Sequence, residues 1–245
     1  MAIPQFRLPR ATERSAVFGH TGSGKTHYST FLLSHANWDK IPWIIVDYKL
    51  EPFFREIEQD NFHSVTHIGL DEKLPKKPGL YIVQPVPFDD EAVDQFFWRI
   101  WEKGKTGIFV DEGLNLPKPP RYRGYPAILS QGRTKRIPTI TVSQKAYYVP
   151  QHVYSEADFI TVFYLSDWRD RERIMEFTPL DLSKDLPEYH AYWHDVSKRA
   201  NLVLKPLPDR DSILDTFHRR LGEQRGTTWN GSTSHGHPKT SLRFL

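Results

Sequence analysis

The chain alternates short, wholly apolar runs with longer stretches in which apolar and polar residues recur at helical spacing. Trp43-Ile44-Ile45-Val46-Asp47, Leu80-Tyr81-Ile82-Val83-Gln84 and Gly107-Ile108-Phe109-Val110-Asp111 lack an inside–outside alternation and end on a polar residue. Such runs predict strands covered on both faces. Residues 15–18, 138–143 and 159–164 extend the set, and 189–194 is a late candidate. The clearest helix is 89–103. There Ala92, Val93, Phe96, Phe97, Ile100 and Trp101 share one face, Asp89 can cap the start and Gly104 can end it. Weaker helical patterns cover 25–35, 167–177 and 209–221. The βα alternation predicts an α/β fold, a mostly parallel sheet with helices on both faces.

One domain is expected over residues 1–223, followed by a polar segment, 224–245, without periodicity and expected to be disordered or ordered only on a partner. No apolar run approaches the ~20 residues that span a bilayer, so no transmembrane segment is expected. The absence of cysteine excludes disulfides, thiolate metal sites and thiol catalysis. His235 and His237, the one close histidine pair, have no acids nearby and do not read as a zinc site. The formal charge of +3 is too small to name a partner; its distribution matters more.

Gly19-His20-Thr21-Gly22-Ser23-Gly24-Lys25-Thr26 fits the phosphate-loop pattern G-x-x-x-x-G-K-[ST], after a strand and before a helix. Backbone N–H groups of such a loop, with the helix N-terminus, cradle phosphate oxygens. Lys25 would reach the β- and γ-phosphates and the Thr26 hydroxyl would ligate Mg²⁺. ATP and Mg²⁺ are therefore the expected cofactors. Asp111-Glu112 ends an apolar strand, where ligands bind in open α/β sheets. Asp111 would hold Mg²⁺ through water, and Glu112 would act as general base on the attacking water. A kinase does not need that second acid; a hydrolase does. Asp47 also ends a strand but is the weaker magnesium candidate. Ser143 and Gln144 end the next strand and would face the γ-phosphate, Gln144 holding the water.

From Gly113 to Ser155 there is no Asp or Glu, while Lys118, Arg121, Arg123, Arg133, Lys135, Arg136 and Lys145 are interleaved with five tyrosines. That composition fits a surface for the phosphate backbone, contacting it without reading sequence, or a solvated loop with some residues serving an interface between subunits. The reading places these charges on loops.

Four blocks in order resemble the FtsK/HerA superfamily of DNA-pumping ATPases: residues 19–26, the strand end Asp47-Tyr48-Lys49, Asp111-Glu112, and Gly132-Arg133 with Thr141-Val142-Ser143-Gln144. The superfamily has Asp-Pro-Lys where this chain has Asp-Tyr-Lys. The compact size is most similar to genome-packaging ATPases of icosahedral viruses with an internal membrane. The resemblance implies a RecA-like P-loop NTPase that moves double-stranded DNA into a capsid. It implies a ring of five or six copies, capsid or vertex proteins as partners, and a place in the host cytoplasm or the virion. It also implies an arginine donated to the neighbour's nucleotide, Arg133 by position, with Arg136 as the alternative. Two other readings stay open. One is a morphogenesis ATPase of the filamentous-phage kind; the other is a P-loop kinase or nucleotide-binding module that pumps no DNA.

Overall fold

The computed structural model describes residues 5–59, 65–86, 89–207 and 209–224. The tail expected from 224 onward falls outside them from residue 225, as do His235 and His237. The elements run β1 (Arg14–Phe18), α1 (Lys25–Ser34), β2 (Pro42–Val46), α2 (Pro52–Gln59), β3 (Val65–His67), β4 (Gly79–Val83), α3 (Asp90–Lys103) and β5 (Gly107–Val110). They continue with α4 (Gly124–Lys135), β6 (Thr139–Ser143), α5 (His152–Ser155), β7 (Phe159–Val162), α6 (Trp168–Met175), β8 (Ala191–Asp195), β9 (Ala200–Leu204) and α7 (Arg210–Gln224).

One sheet has the order β3-β4-β2-β5-β6-β1-β7-β8-β9. The first seven strands in that order are parallel, and β8 and β9 extend the sheet antiparallel. The apolar runs form strands because both faces are covered. In β5, Ile108 and Val110 pack on one face with Val93, Phe97 and Ile128 of α3 and α4. Phe109 packs on the other, with Leu32, Phe54 and Phe217 of α1, α2 and α7. Asp89 caps α3 as expected, accepting from the Ala92 amide at 3.3 Å.

Four of the missed elements have local causes. α4 carries Gly124, Pro126 and Gly132, which read as a loop. Pro126 is tolerated because it lies in the first helical turn. α2 is two turns long, and its apolar positions, Phe53, Phe54 and Ile57, sit among charges. β3 has three residues, and β9 is half exposed on an edge. The basic segment is thus partly helical, which corrects its assignment to loops.

Candidate functional site

Parallel register brings four strand ends to one edge. Phe18 of β1 pairs with Ser143 of β6, Val110 of β5 with Thr141 of β6, and Val46 of β2 with Val110. β6 therefore lies between the phosphate-loop strand and the acid strand. The loop is tied at both sides: the Gly19 amide donates to the Ser143 carbonyl at 3.3 Å and the His20 amide to the Tyr164 carbonyl at 2.8 Å. Gly22 (φ 79°) and Gly24 (φ 99°) take left-handed backbone that a side chain would strain, and Gly24 is the N-cap of α1. Lys25 is buried at the first turn, and its Nζ donates to the His20 carbonyl at 3.3 Å. Burial lowers its pKa to about 8, and the nearby positive charge of Lys49 adds to that. An ammonium short of partners in this way is suited to phosphate oxygens.

The acids differ from each other. Asp111 is buried and its Oδ2 has no hydrogen-bond partner. Burial pushes its pKa up to about 7. Such an atom is poised to gain a partner, and a buried carboxylate oxygen together with the hydroxyl of a phosphate-loop threonine is a hard-oxygen donor set of the kind that suits Mg²⁺ held largely through water and phosphate. Among the described residues no cluster of three or more His, Cys, Asp or Glu forms a metal cage. Asp47 is satisfied: its oxygens accept from the Glu51 amide at 3.0 Å and Gln84 Nε2 at 3.2 Å. It serves the turn after β2.

Glu112 Oε1 accepts from Ser143 Oγ at 2.6 Å and the Gln144 amide at 3.0 Å, and its Oε2 faces Lys49 Nζ at 2.8 Å. Gln144 Oε1 accepts from Thr21 Oγ1 at 3.0 Å. The phosphate loop, Lys25, Asp111, Glu112, Ser143 and Gln144 are thus one constellation. Arg133 does not join it. It ends α4 at the N-terminal edge of the sheet and pairs with Asp158, which also accepts from the Arg14 backbone amide at 2.9 Å and Nε at 3.2 Å. A five-residue strand, about 16 Å, separates that edge from the phosphate loop. Arg136, the C-cap of α4, shares this edge.

Two features escaped the sequence. Lys49 was visible only as part of a matched block. The other is a wall built by the last third of the chain. A cavity of about 310 Å³ beside the phosphate loop is lined by Gly24, Phe163, Tyr189, Leu204, Pro206 and Leu207 among others. Tyr189 is exposed and has φ 59°; its ring lies against Gly24, where an added Cβ would meet Cδ1 at 3.3 Å. Residues 185–190 also flank His20, Thr21, Gly22 and Ser23. No local motif marks this wall, because it joins loops distant in sequence.

The chain is 36% identical to the DNA packaging ATPase P9 of Enterobacteria phage PRD1 over 233 residues, covering 91% of this chain and 98% of that protein. The chain belongs to the family of viral DNA-packaging ATPases. No family model matches it. Among solved structures, the genome packaging NTPase B204 of Sulfolobus turreted icosahedral virus 2 in complex with ATP-gammaS superposes with a TM-score of 0.60. It is 20% identical and matches over 82% of this chain and all of that one. EssC (ATPases 2 and 3) of Geobacillus thermodenitrificans gives 0.59 at 15% identity, over 88% of this chain and 44% of that one. At those identities the structural likenesses show the fold, a P-loop NTPase. In this packaging ATPase the antiparallel β8–β9 pair extends the sheet past β7, and the Tyr189 wall borders the phosphate loop.

The basic segment is divided by the fold. Lys118, Arg121 and Arg123 lie between β5 and α4, on the same edge of the sheet as the phosphate loop, and among the described residues none has a carboxylate partner. Lys145 faces Asp167 at 3.4 Å and Asp170 at 3.6 Å. Lys135 sits over the Trp101 ring at 3.7 Å, on the opposite edge with Arg133 and Arg136. The segment is therefore not one continuous basic surface.

Proposed function

We propose that this chain hydrolyses ATP at the constellation above and uses the cycle to drive viral double-stranded DNA into a capsid. The observation that carries the reading is the placement of Glu112: a buried carboxylate, held by the end of β6, on the edge where the phosphate loop and Lys25 converge. The phosphate-loop amides and Lys25 would bind the β- and γ-phosphates. The base would lie in the cavity beside Gly24, against Tyr189 and Phe163. Mg²⁺, held by Thr26 and through water by Asp111, would neutralise charge on the phosphates. Glu112 takes a proton from water as the water oxygen bonds to the γ-phosphorus and the bond to the ADP oxygen breaks. Gln144, bonded to Thr21, is placed to orient that water.

The active form is a ring of five or six copies, bound at a capsid vertex in the virion or during assembly in the host cytoplasm. Arg133 and Arg136 lie too far from their own phosphate loop to serve it, so either acts only on a neighbouring copy. An arginine so supplied is worth roughly 10³–10⁵ in rate in known NTPases. DNA is gripped by phosphate contacts that carry no sequence information.

The test is ATP turnover with and without double-stranded DNA. Lys25→Ala should abolish binding or turnover. Glu112→Gln should keep ATP binding and lose hydrolysis by about 10²-fold or more. Full turnover by Glu112→Gln would remove that residue from the mechanism, and DNA-independent turnover throughout would favour a nucleotide hydrolase that does not pump.

A further inference from the structure

Lys49 lies in the turn that follows β2. That turn is set by Asp47, whose Oδ1 accepts from the Glu51 amide at 3.0 Å, and by left-handed backbone at Leu50 (φ 56°). Because β2 and β5 are neighbours, the turn carries Lys49 across the end of β5, with Nζ 2.8 Å from Glu112 Oε2. With Ser143 Oγ and the Gln144 amide on Oε1, both oxygens of Glu112 are engaged. Three donors occupy most of the roughly four acceptor sites of a carboxylate and crowd out a water that would approach Oε2. Lys49 also stands close enough to Lys25 and Asp111 for its charge to act on both. Lys49 and Lys25 are thus two ammoniums at one phosphate site that also gathers Asp47, Glu51, Asp111 and Glu112. A γ-phosphate entering this site meets that set of carboxylates, and Lys25 alone does not balance them.

We propose that Lys49 is a γ-phosphate ligand that exchanges Glu112 for the terminal phosphate of the nucleotide, so that filling the site frees the general base. The inference rests on the ATPase reading and assigns to Lys49 the distinction between a tri- and a diphosphate. The exchange breaks no covalent bond and moves no proton. One ammonium leaves a carboxylate and joins a phosphate, and the freed Oε2 becomes able to accept from water. After phosphate leaves, Lys49 returns and the base is engaged again. The same contact therefore suppresses water activation when only ADP is bound.

The experiment compares dissociation constants for ATP-gammaS and ADP, both with Mg²⁺, in the full chain and four variants: Lys49→Met, Lys49→Arg, Glu112→Gln and the double variant Lys49→Met/Glu112→Gln. A charge-assisted contact to the γ-phosphate is worth about 10- to 100-fold in affinity. Lys49→Met should weaken ATP-gammaS by that factor and leave ADP within about threefold; Lys49→Arg should recover part of the loss. Glu112→Gln should tighten ATP-gammaS when Lys49 is present, because Lys49 no longer has to leave a carboxylate, and have no such effect in the Lys49→Met background. Should Lys49→Met fold poorly with Glu112 stranded, the double variant, which has no stranded charge, still reports the loss of ATP-gammaS binding. Equal weakening of both nucleotides, no change in either, or the same Glu112→Gln effect in both backgrounds overturns the proposal. A wild-type chain that binds neither nucleotide takes the ATPase reading down with it. A wild-type chain that binds both, with affinities unmoved by Lys49→Met, overturns the Lys49 role alone.

Discussion

Asp158 and Arg133 form a pair whose two members should differ widely in their effect on stability. Asp158 is buried; it accepts from the Arg14 amide at 2.9 Å, from Arg14 Nε at 3.2 Å and from Arg133. The Arg14 side chain is 9% exposed, while that of Arg133 is 62% exposed. Asp158→Ala strands the buried Arg14 guanidinium, and breaking one side of a buried pair costs about 3–5 kcal/mol. Arg14 keeps the Leu129 carbonyl and Glu156, the latter at 3.5 Å, so the lower end, about 3 kcal/mol, applies. Arg133→Ala removes a mostly solvated partner and should cost under about 1 kcal/mol. For a chain of this size 1 kcal/mol is about 2–4 °C in Tm. Thermal unfolding should therefore show a loss of about 6–12 °C for Asp158→Ala and under about 4 °C for Arg133→Ala. The reasoning is refuted if the two variants lose equally, or if Arg133→Ala is the worse. The contrast also has a use. If Arg133→Ala folds like the wild type, a loss of turnover does not come from damage to its own fold, which is the control that the proposed role at a neighbouring copy's nucleotide needs.

Two further outcomes follow from the site. Tyr189→Ala should weaken ADP by about 5- to 100-fold, the worth of one aromatic stack on a base, and leave tripolyphosphate binding unchanged; competition titrations separate the two, and equal weakening would move the base out of this cavity. Arg121→Ala with Arg123→Ala should flatten the salt dependence of DNA binding by about 1–2 units in log–log slope, and an unchanged slope would place the DNA contacts elsewhere.

The sequence revealed the chemistry of the site better than its walls. Residues 19–26 form a contiguous motif whose backbone geometry is local, so reading it needs no tertiary contact. Asp111 and Glu112 were legible because a buried strand ending in acids has one plausible direction to face in a parallel sheet. Glycines and a proline disguised α4, a helix held by packing on α3, where Gly124 lets the backbone approach Asp94: an added Cβ would lie 2.6 Å from its carbonyl oxygen. The acid-free run of 113–155 looked like one surface because charge was counted along the chain. Asp158, Asp167 and Asp170, which pair with its arginine and lysine, lie just beyond that window. Tyr189 and Phe163 meet only because β8 folds back beside β7, an antiparallel turn that a βα pattern does not foretell.

Sheet order explains why the polar end of β6 matters to the reaction. Had β1 and β5 been neighbours, the phosphate loop and the acid pair would lie about 5 Å apart, with no strand end between them. Inserting β6 opens a gap of two strand spacings, about 10 Å, and fills its mouth with Ser143 and Gln144. On the proposed mechanism the γ-phosphate and the attacking water would share that gap. Ser143 and the Gln144 amide hold Glu112 from one side of it, and the Gln144 side chain reaches Thr21 of the phosphate loop on the other. Ser143 and Gln144 therefore link the phosphate loop to Glu112, and on the proposed mechanism a nucleotide that shifted the loop would act on Glu112 through these two residues. Lys49 approaches the same carboxylate from β2, on the far side of β5. Glu112 is consequently gripped from both neighbouring strands, and only the grip from β2 is an ammonium, the contact for which the proposed exchange has a phosphate compete.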